Sequence, residues 1–247
     1  QVDRTFTVGF HNEKYSEIPD VKKFAESINM TNDSKIIEPE EYWDVLSDAM
    51  YFMDEPLADP AAVALYFLSA EASKKVKVVL SGEGSDELFG GYNVYCEPFA
   101  NRKFDKIPMW IRKAVARFAE TCLPKSMKGR AFLIRRGQRL EDWYIGNGKY
   151  ISEKEAERIL LKDCKLKCTD VTAPFYARVP DKDNVTKMQY LDMHMWLAGD
   201  ILLKADKMSM AHSLEVRVPF LDKKVFEVAS KVPTKYRVNK ENTKYAM

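Results

Sequence analysis

The sequence predicts an α/β fold built on a parallel sheet, with a large α-helical portion following it. Three observations predict this. Short β-branched or apolar runs alternate with helical patterns over roughly the first 90 residues, as strands joined by crossover helices do. The run from Val76 to Leu80 is apolar almost throughout, which suits a strand covered on both faces. Beyond Pro98 the alternation stops and helical periods dominate.

Taken in order, Thr5-Phe6-Thr7-Val8-Gly9-Phe10 is β-branched and aromatic and reads as a short strand ending near Gly9. Asp20 to Met30 reads as a helix with Val21, Phe24, Ala25 and Ile28 on one face. Lys35-Ile36-Ile37 is a second, very short strand. Pro39 opens a helix whose apolar positions, Tyr42, Val45, Leu46, Ala49 and Met53, recur by threes and fours. Ala61 to Ser73 is apolar nearly all round, so it is expected to pack on two sides. Val76 to Leu80 is the third strand. Later, Trp110 to Phe118 reads as a basic helix, whereas Ser126 to Lys149 carries no clear period. The clearest late helix runs from about Thr186 to Ala211, with Met188, Leu191, Met195, Ala198, Leu202 and Ala205 on one stripe. Asp222 is placed to N-cap a helix through about Lys231, which Pro233 ends. The expected division is an α/β nucleotide-binding part over residues 1–97 and a mainly helical part over 98–247.

Composition narrows the function. Of 247 residues, 46% are hydrophobic and 31% charged, an ordinary globular balance, and the net charge of +2 gives no global pull toward nucleic acid or an anionic membrane. No apolar run approaches the roughly 18 residues of a membrane-spanning helix, and Gln1 to Arg4 do not begin a signal peptide. Cys96, Cys122, Cys164 and Cys168 fit no zinc spacing and have no histidine near them in sequence, so they read as reduced thiols in a cytoplasmic protein.

The informative stretch is Val78-Val-Leu-Ser-Gly-Glu-Gly-Ser-Asp-Glu-Leu-Phe-Gly-Gly-Tyr92. A strand gives way to a small-residue turn and then to a helix start. Ligands of open parallel sheets bind beyond the carboxyl ends of the strands, and glycines there let backbone N–H groups approach closely. A helix beginning near Ser85 would add unpaired donors that favour phosphate. Glu83, Asp86 and Glu87 would repel phosphate unless a cation lay between, which suggests Mg²⁺. The same glycines also fit a plain turn, with Gly90 and Gly91 ending a short helix, and neither GxxxxGK[ST] nor GxGxxG occurs.

VVLSGEGSDELFGGY resembles the second signature of the asparagine synthetases and their relatives. Three further blocks fit in order: TFTVGF with Tyr15-Ser16-Glu17; Asp54-Glu55-Pro56-Leu57-Ala58-Asp59-Pro60; and the run from Leu203 to Asp222. The resemblance implies an adenine-nucleotide alpha-hydrolase-like (ATP-pyrophosphatase) fold. It also implies ATP-dependent activation of a carboxylate, aspartate leading, followed by attack of ammonia from glutamine. It assigns the adenosine part of ATP to Val8, Gly9, Ser81 and Gly82, with Gly84 and Ser85 completing the nucleotide loop. Asp86 becomes a ligand of Mg²⁺. Glu83 becomes the catalytic carboxylate that orients the nucleophile or takes its proton, with a pKa raised beside phosphate. The implied partners are small molecules, with a homodimer left open and neither nucleic acid nor membrane.

Other residues keep plainer readings. Lys204, Asp206 and Lys207 fit either a solvated face or a substrate pocket. Glu215 and Arg217 read as a structural ion pair, Tyr92 and Tyr95 as core aromatics in preference to pocket lining, and His212 lacks the context of a base. The family's SGGxDS phosphate loop, carried on a central strand, is not found in the sequence, nor is an N-terminal cysteine amidase. A segment of a longer protein is therefore expected in preference to a degenerate remnant, and by itself inactive. A relative acting on another carboxylate and a non-catalytic binding domain are the alternatives.

Overall fold

The computed structural model describes residues 3–12, 16–55, 57, 59–100, 102, 104–148, 151, 153–162 and 165–247. Tyr15, Pro56, Ala58, Lys149 and Cys164, named above, lie outside the described residues. In chain order the first elements are β1 (Arg4–Gly9), α1 (Ile18–Ser27), β2 (Thr31–Ile36), α2 (Pro39–Asp44), α3 (Leu46–Met53), α4 (Ala61–Ser73) and β3 (Val78–Leu80). Then come α5 (Ser85–Phe89), α6 (Glu97–Ala100), α7 (Met109–Cys122), α8 (Arg130–Arg136), α9 (Leu140–Trp143) and α10 (Glu153–Ile159). The last are α11 (Cys168–Tyr176), α12 (Asn184–His194), α13 (Leu202–Met210), β4 (Glu215–Arg217), α14 (Lys223–Ala229) and α15 (Thr234–Arg237). The chain forms two compact units: Gln1–Glu83 with Ala198–Pro219, and Gly84–Leu197 with Phe220–Met247.

In the first unit, β1 and β2 pair in parallel from Arg4↔Thr31 to Gly9↔Ile36, joined through α1. The helix expected from Pro39 to Met53 is two helices, because Val45 ends α2 and precedes α3; the apolar spacing carries across the break. Ala49 and Met53 join Ile37, Ala62, Val63, Phe67 and Met208 in the unit's core. α4 packs against β1, α3 and α13, as its all-round apolar surface requires.

The third strand departs from expectation. It is three residues long and pairs in parallel with β4, in a register from Val78↔Glu215 to Leu80↔Arg217. The described strands make two separate two-stranded sheets. Val78 and Leu80 remain 51% and 59% exposed, so β3 is not covered on both faces. A groove of about 630 Å³ accounts for this, lined by Thr5 and Phe6 of β1, by Val78, Val79 and Leu80 of β3, and by Leu65 of α4. Two-stranded pairs are marginal alone, so the helical core carries this unit.

The late helix is also interrupted: α12 ends at His194, Leu197–Ile201 forms one wide π turn containing Gly199, and α13 follows.

The second unit is helical. Its core is Tyr95, Leu140, Tyr144, Tyr176, Val185, Met188, Leu191 and Val238. Arg130 closes α7 by donating to the carbonyls of Ala119, Glu120 and Leu123 at 3.0 to 3.1 Å. Asp222 caps α14 as expected, accepting from the Lys224 N–H at 2.8 Å. No helix among the described residues is long and apolar enough to cross a membrane.

Asp192 lies fully buried in this unit. It accepts from Tyr95 Oη at 2.5 Å, from Tyr144 Oη, and from the backbone and side-chain nitrogens of Asn147 at 3.3 and 3.2 Å. Burial outweighs these bonds and pushes its carboxyl up to about 6. A folded-state pKa above the unfolded value means the folded protein binds an extra proton between about pH 4 and 6, so ionised Asp192 costs stability above that window. Relative to Asp192→Asn, the wild-type protein should therefore gain stability, by about 2.5 kcal/mol, as pH falls from 7.5 to 4. Paired denaturant titrations across that range check this; a constant difference contradicts it.

Candidate functional site

The signature segment is divided at the Glu83–Gly84 bond between the two units. In the first unit, Ser81 continues the β3–β4 ladder, its N–H donating to the Arg217 carbonyl at 2.8 Å. Ser81, Gly82 and Glu83 then line the groove beside the β1 residues Arg4, Thr5 and Phe6. Gly82 is exposed, with nothing within 4 Å of where a Cβ would stand, so its backbone is open to close approach. Val8 and Gly9 end β1 but do not line this groove. Val8 packs against the core, and a Cβ on Gly9 would stand 2.7 Å from Ser16 Oγ and 2.8 Å from Ile18 Cδ1.

In the second unit, Gly84 sits at φ +85, and a Cβ there would stand 2.2 Å from Leu221 Cδ2. Only glycine fits both the backbone and the space. The helix start expected at Ser85 is present, but α5 has five residues, so little macrodipole accumulates. The charge beside it comes from a lysine instead. Lys244 Nζ lies 3.0 Å from Asp86 Oδ1 and donates to Ser85 Oγ at 3.0 Å. Gly90, at φ +76, caps α5, and its N–H and that of Gly91 both donate to the Asp86 carbonyl at 2.9 Å. Gly91 serves a different purpose: a Cβ there would stand 1.6 Å from Asp86 Oδ1 and 2.6 Å from Lys244 Cε.

Glu87 does not belong with the loop acids. It is 2% exposed and accepts from Tyr92 Oη at 2.6 Å, while Tyr92 Oη accepts from Trp196 Nε1 at 3.1 Å. Burial pushes its carboxyl above the usual range, against the pull of the Tyr92 hydrogen bond. Among the described residues no group of three or more His, Cys, Asp or Glu could hold a metal ion. Asp86 is half-exposed, and its carboxylate lies beside the Lys244 ammonium.

The downstream block is partly interior. Lys204 is 5% exposed and pairs with Asp59 and with Asp200 at 3.0 Å, so its solvated-face reading fails. Burial works to raise both carboxyls. The Lys204 contact and the Ala61 N–H leave Asp59 lowered, whereas Asp200, also facing Asp59, stays raised. Lys207 pairs with Asp54, which sits at φ +63, a left-handed conformation that costs a non-glycine residue energy. Glu215 and Arg217 form the expected ion pair at 2.5 Å on the exposed face of β4. Tyr95 is core, with Tyr92 edge-on to it. His212 packs edge-on to Tyr66, burial lowers its pKa, and its Nε2 has no hydrogen-bond partner among the described residues, which suits a neutral ring.

Lys244 was not singled out by sequence reasoning. It follows a four-residue helix in a polar run with no period, and only its proximity to Asp86 marks it.

Residues 2–247 match the asparagine synthase family. The chain is 47% identical over 246 residues to "Asparagine synthetase [glutamine-hydrolyzing] 1" of Bacillus subtilis (strain 168), covering 99% of this chain and 39% of that protein. It is 45% identical over 246 residues to a protein of Mycobacterium bovis, covering 98% of this chain and 37% of that one. It is 26% identical over 231 residues to "Asparagine synthetase [glutamine-hydrolyzing] 3" of Bacillus subtilis, covering 92% and 32%. The chain thus spans about two-fifths of the length of the curated relatives it matches best among these.

Proposed function

The chain belongs to the asparagine synthase family, and on that premise we propose that the complete protein makes asparagine from aspartate, ATP and ammonia released from glutamine. The observation that carries this reading is the match of the whole signature, SGEGSDELFGGY, within a family match over residues 2–247. The adenine-nucleotide alpha-hydrolase-like fold is part of the same proposal, supported by parallel strand pairs with helical crossovers.

The side-chain carboxylate of aspartate attacks the α-phosphorus of ATP, and the bond to pyrophosphate breaks. Ammonia then attacks the acyl carbon of the adenylate, AMP leaves, and the nitrogen loses a proton. A poor acyl electrophile has gained a good leaving group, and the protein's contribution is positioning and charge. The exposed Gly82 backbone and Ser81 meet the nucleotide, as do Val8 and Gly9 at the end of β1. Gly84 and Ser85 continue that loop. Glu83, which lines the groove, orients the nucleophile or takes its proton. Lys244 stands beside the Asp86 carboxylate, where a cation balances phosphate charge. A Mg²⁺ at Asp86 would neutralise charge on the pyrophosphate.

Full-length protein given aspartate, ATP, Mg²⁺ and ammonium is expected to release asparagine, AMP and pyrophosphate in equal amounts. Release of ADP and phosphate would overturn the adenylation chemistry.

A further inference from the structure

We propose that Gln189, held by Arg237, is a positioning residue that fixes α5 and thereby the Asp86 carboxylate; the inference rests on the function proposed above. α5 is too short to satisfy its own carbonyls. Those of Glu87 and Leu88 are met from outside the helix by Gln189 Nε2, at 2.7 and 3.3 Å. Gln189 projects from α12, is 1% exposed, and lies between the core residues Met188 and Leu191 in sequence. A buried amide costs free energy unless its hydrogen bonds are made, so an apolar residue would pack here at lower cost if packing were the only requirement.

The amide has one possible orientation. Arg237 donates from one guanidinium nitrogen to Gln189 Oε1 at 2.5 Å, and it can only donate. The two α5 carbonyls can only accept. The other terminal nitrogen of Arg237 donates to Thr186 Oγ1 and Thr234 Oγ1, both at 3.0 Å. Both hydroxyls donate in turn to Asp183 Oδ2, at 2.7 and 2.9 Å, and Asp183 is the N-cap of α12. The guanidinium is thus fixed from one side and Gln189 from the other.

The same strut reaches Lys244. The Arg237 carbonyl accepts from the Tyr245 N–H at 3.0 Å, and the Lys244 N–H donates to the Gly90 carbonyl at 3.3 Å. One arginine therefore anchors both the amide that grips α5 and the segment that carries the Asp86 partner. Gln189 is buried and its hydrogen bonds to α5 go to backbone carbonyls, so its effect on the reaction passes through the helix it holds.

The test compares wild type, Gln189→Glu and Arg237→Lys in the full-length protein. The glutamate is isosteric, and its carboxylate, paired with the Arg237 guanidinium, faces two carbonyls with no proton to offer. Aspartate-dependent ATP/pyrophosphate exchange by Gln189→Glu should fall roughly 10- to 100-fold in kcat at pH 8, with the KM for ATP within about threefold of wild type. Arg237→Lys, which keeps the charge but not the fork, should show a smaller loss of kcat. A merely structural role would lower thermal stability and leave the kcat of the folded protein unchanged. Amide hydrogen exchange of residues 86–91 should rise in Gln189→Glu at pH 8, whatever the catalysed reaction. Wild-type exchange of pyrophosphate alongside a Gln189→Glu enzyme of equal kcat at pH 8 overturns the inference and leaves the function standing. Absence of wild-type exchange removes the function reading and the inference's catalytic consequence, while unchanged amide protection in Gln189→Glu overturns the strut itself.

Discussion

Replacing Glu83 by glutamine is expected to leave ATP binding within about threefold of wild type and to lower ammonia-dependent asparagine formation by roughly two to four orders of magnitude. Glutamine keeps the length and hydrogen-bonding shape of the side chain but cannot accept a proton or carry charge. Glu83 follows Gly82, whose surroundings are open, and is among the residues lining the groove in the first unit. The nucleotide contacts assigned to Ser81 and Gly82 run through backbone and hydroxyl, which the substitution does not alter. Calorimetric ATP binding set beside steady-state product formation separates the two effects. Turnover equal to wild type sinks the proposed role, and a loss of ATP affinity matching the loss of turnover reassigns the residue to binding.

The second large effect is expected from Gly91→Ala. Its new methyl would stand 1.6 Å from Asp86 Oδ1, so the carboxylate must move, and Lys244 with it. Both are ends of flexible side chains, and Gly91 is not in a left-handed conformation, so the fold should absorb the change. Turnover should fall about 100-fold, since displacing a phosphate-side group by an ångström costs that much, with thermal stability nearly unchanged. Gly90→Ala is the contrasting variant. It combines φ +76 with a methyl 2.1 Å from the buried Val238, so its loss is expected in stability, about 2–4 kcal/mol. A fully active Gly91→Ala protein would contradict the placement of Asp86 in the site.

Much of the first unit was legible because its elements announce themselves locally. The β-branched run at Thr5–Gly9, Pro39 at a helix start and the apolar faces of α3 and α4 each follow from short-range chemistry. What escaped was non-local. The parallel pairing of β3 with β4 joins residues far apart in sequence, and nothing in Glu215-Val-Arg217 names its partner. Residues 126–149 gave no period because α8 is held largely by arginines, Arg130 on the end of α7 and Arg135 and Arg136 on Glu97. The break at Leu197–Ile201 was hidden by an apolar stripe that continues through it.

At the site, spacing located the loop but not the direction of its side chains. Glu87 and Asp86 are neighbours in sequence, yet one is buried against Tyr92 and the other lies beside Lys244. A turn rich in acids therefore overstated the number available to a cation. Lys244 and Gln189 are the converse, residues in unremarkable sequence that geometry brings to the helix carrying Asp86.

The central proposal, that the complete protein activates aspartate through adenylation, is tested most directly by isotope exchange between pyrophosphate and ATP in the full-length protein without ammonia or glutamine. The expected result is exchange that requires aspartate and saturates with it, because only a reversibly formed aspartyl-adenylate returns labelled pyrophosphate to ATP. Exchange indifferent to aspartate, or none in a folded protein that binds ATP, would contradict it.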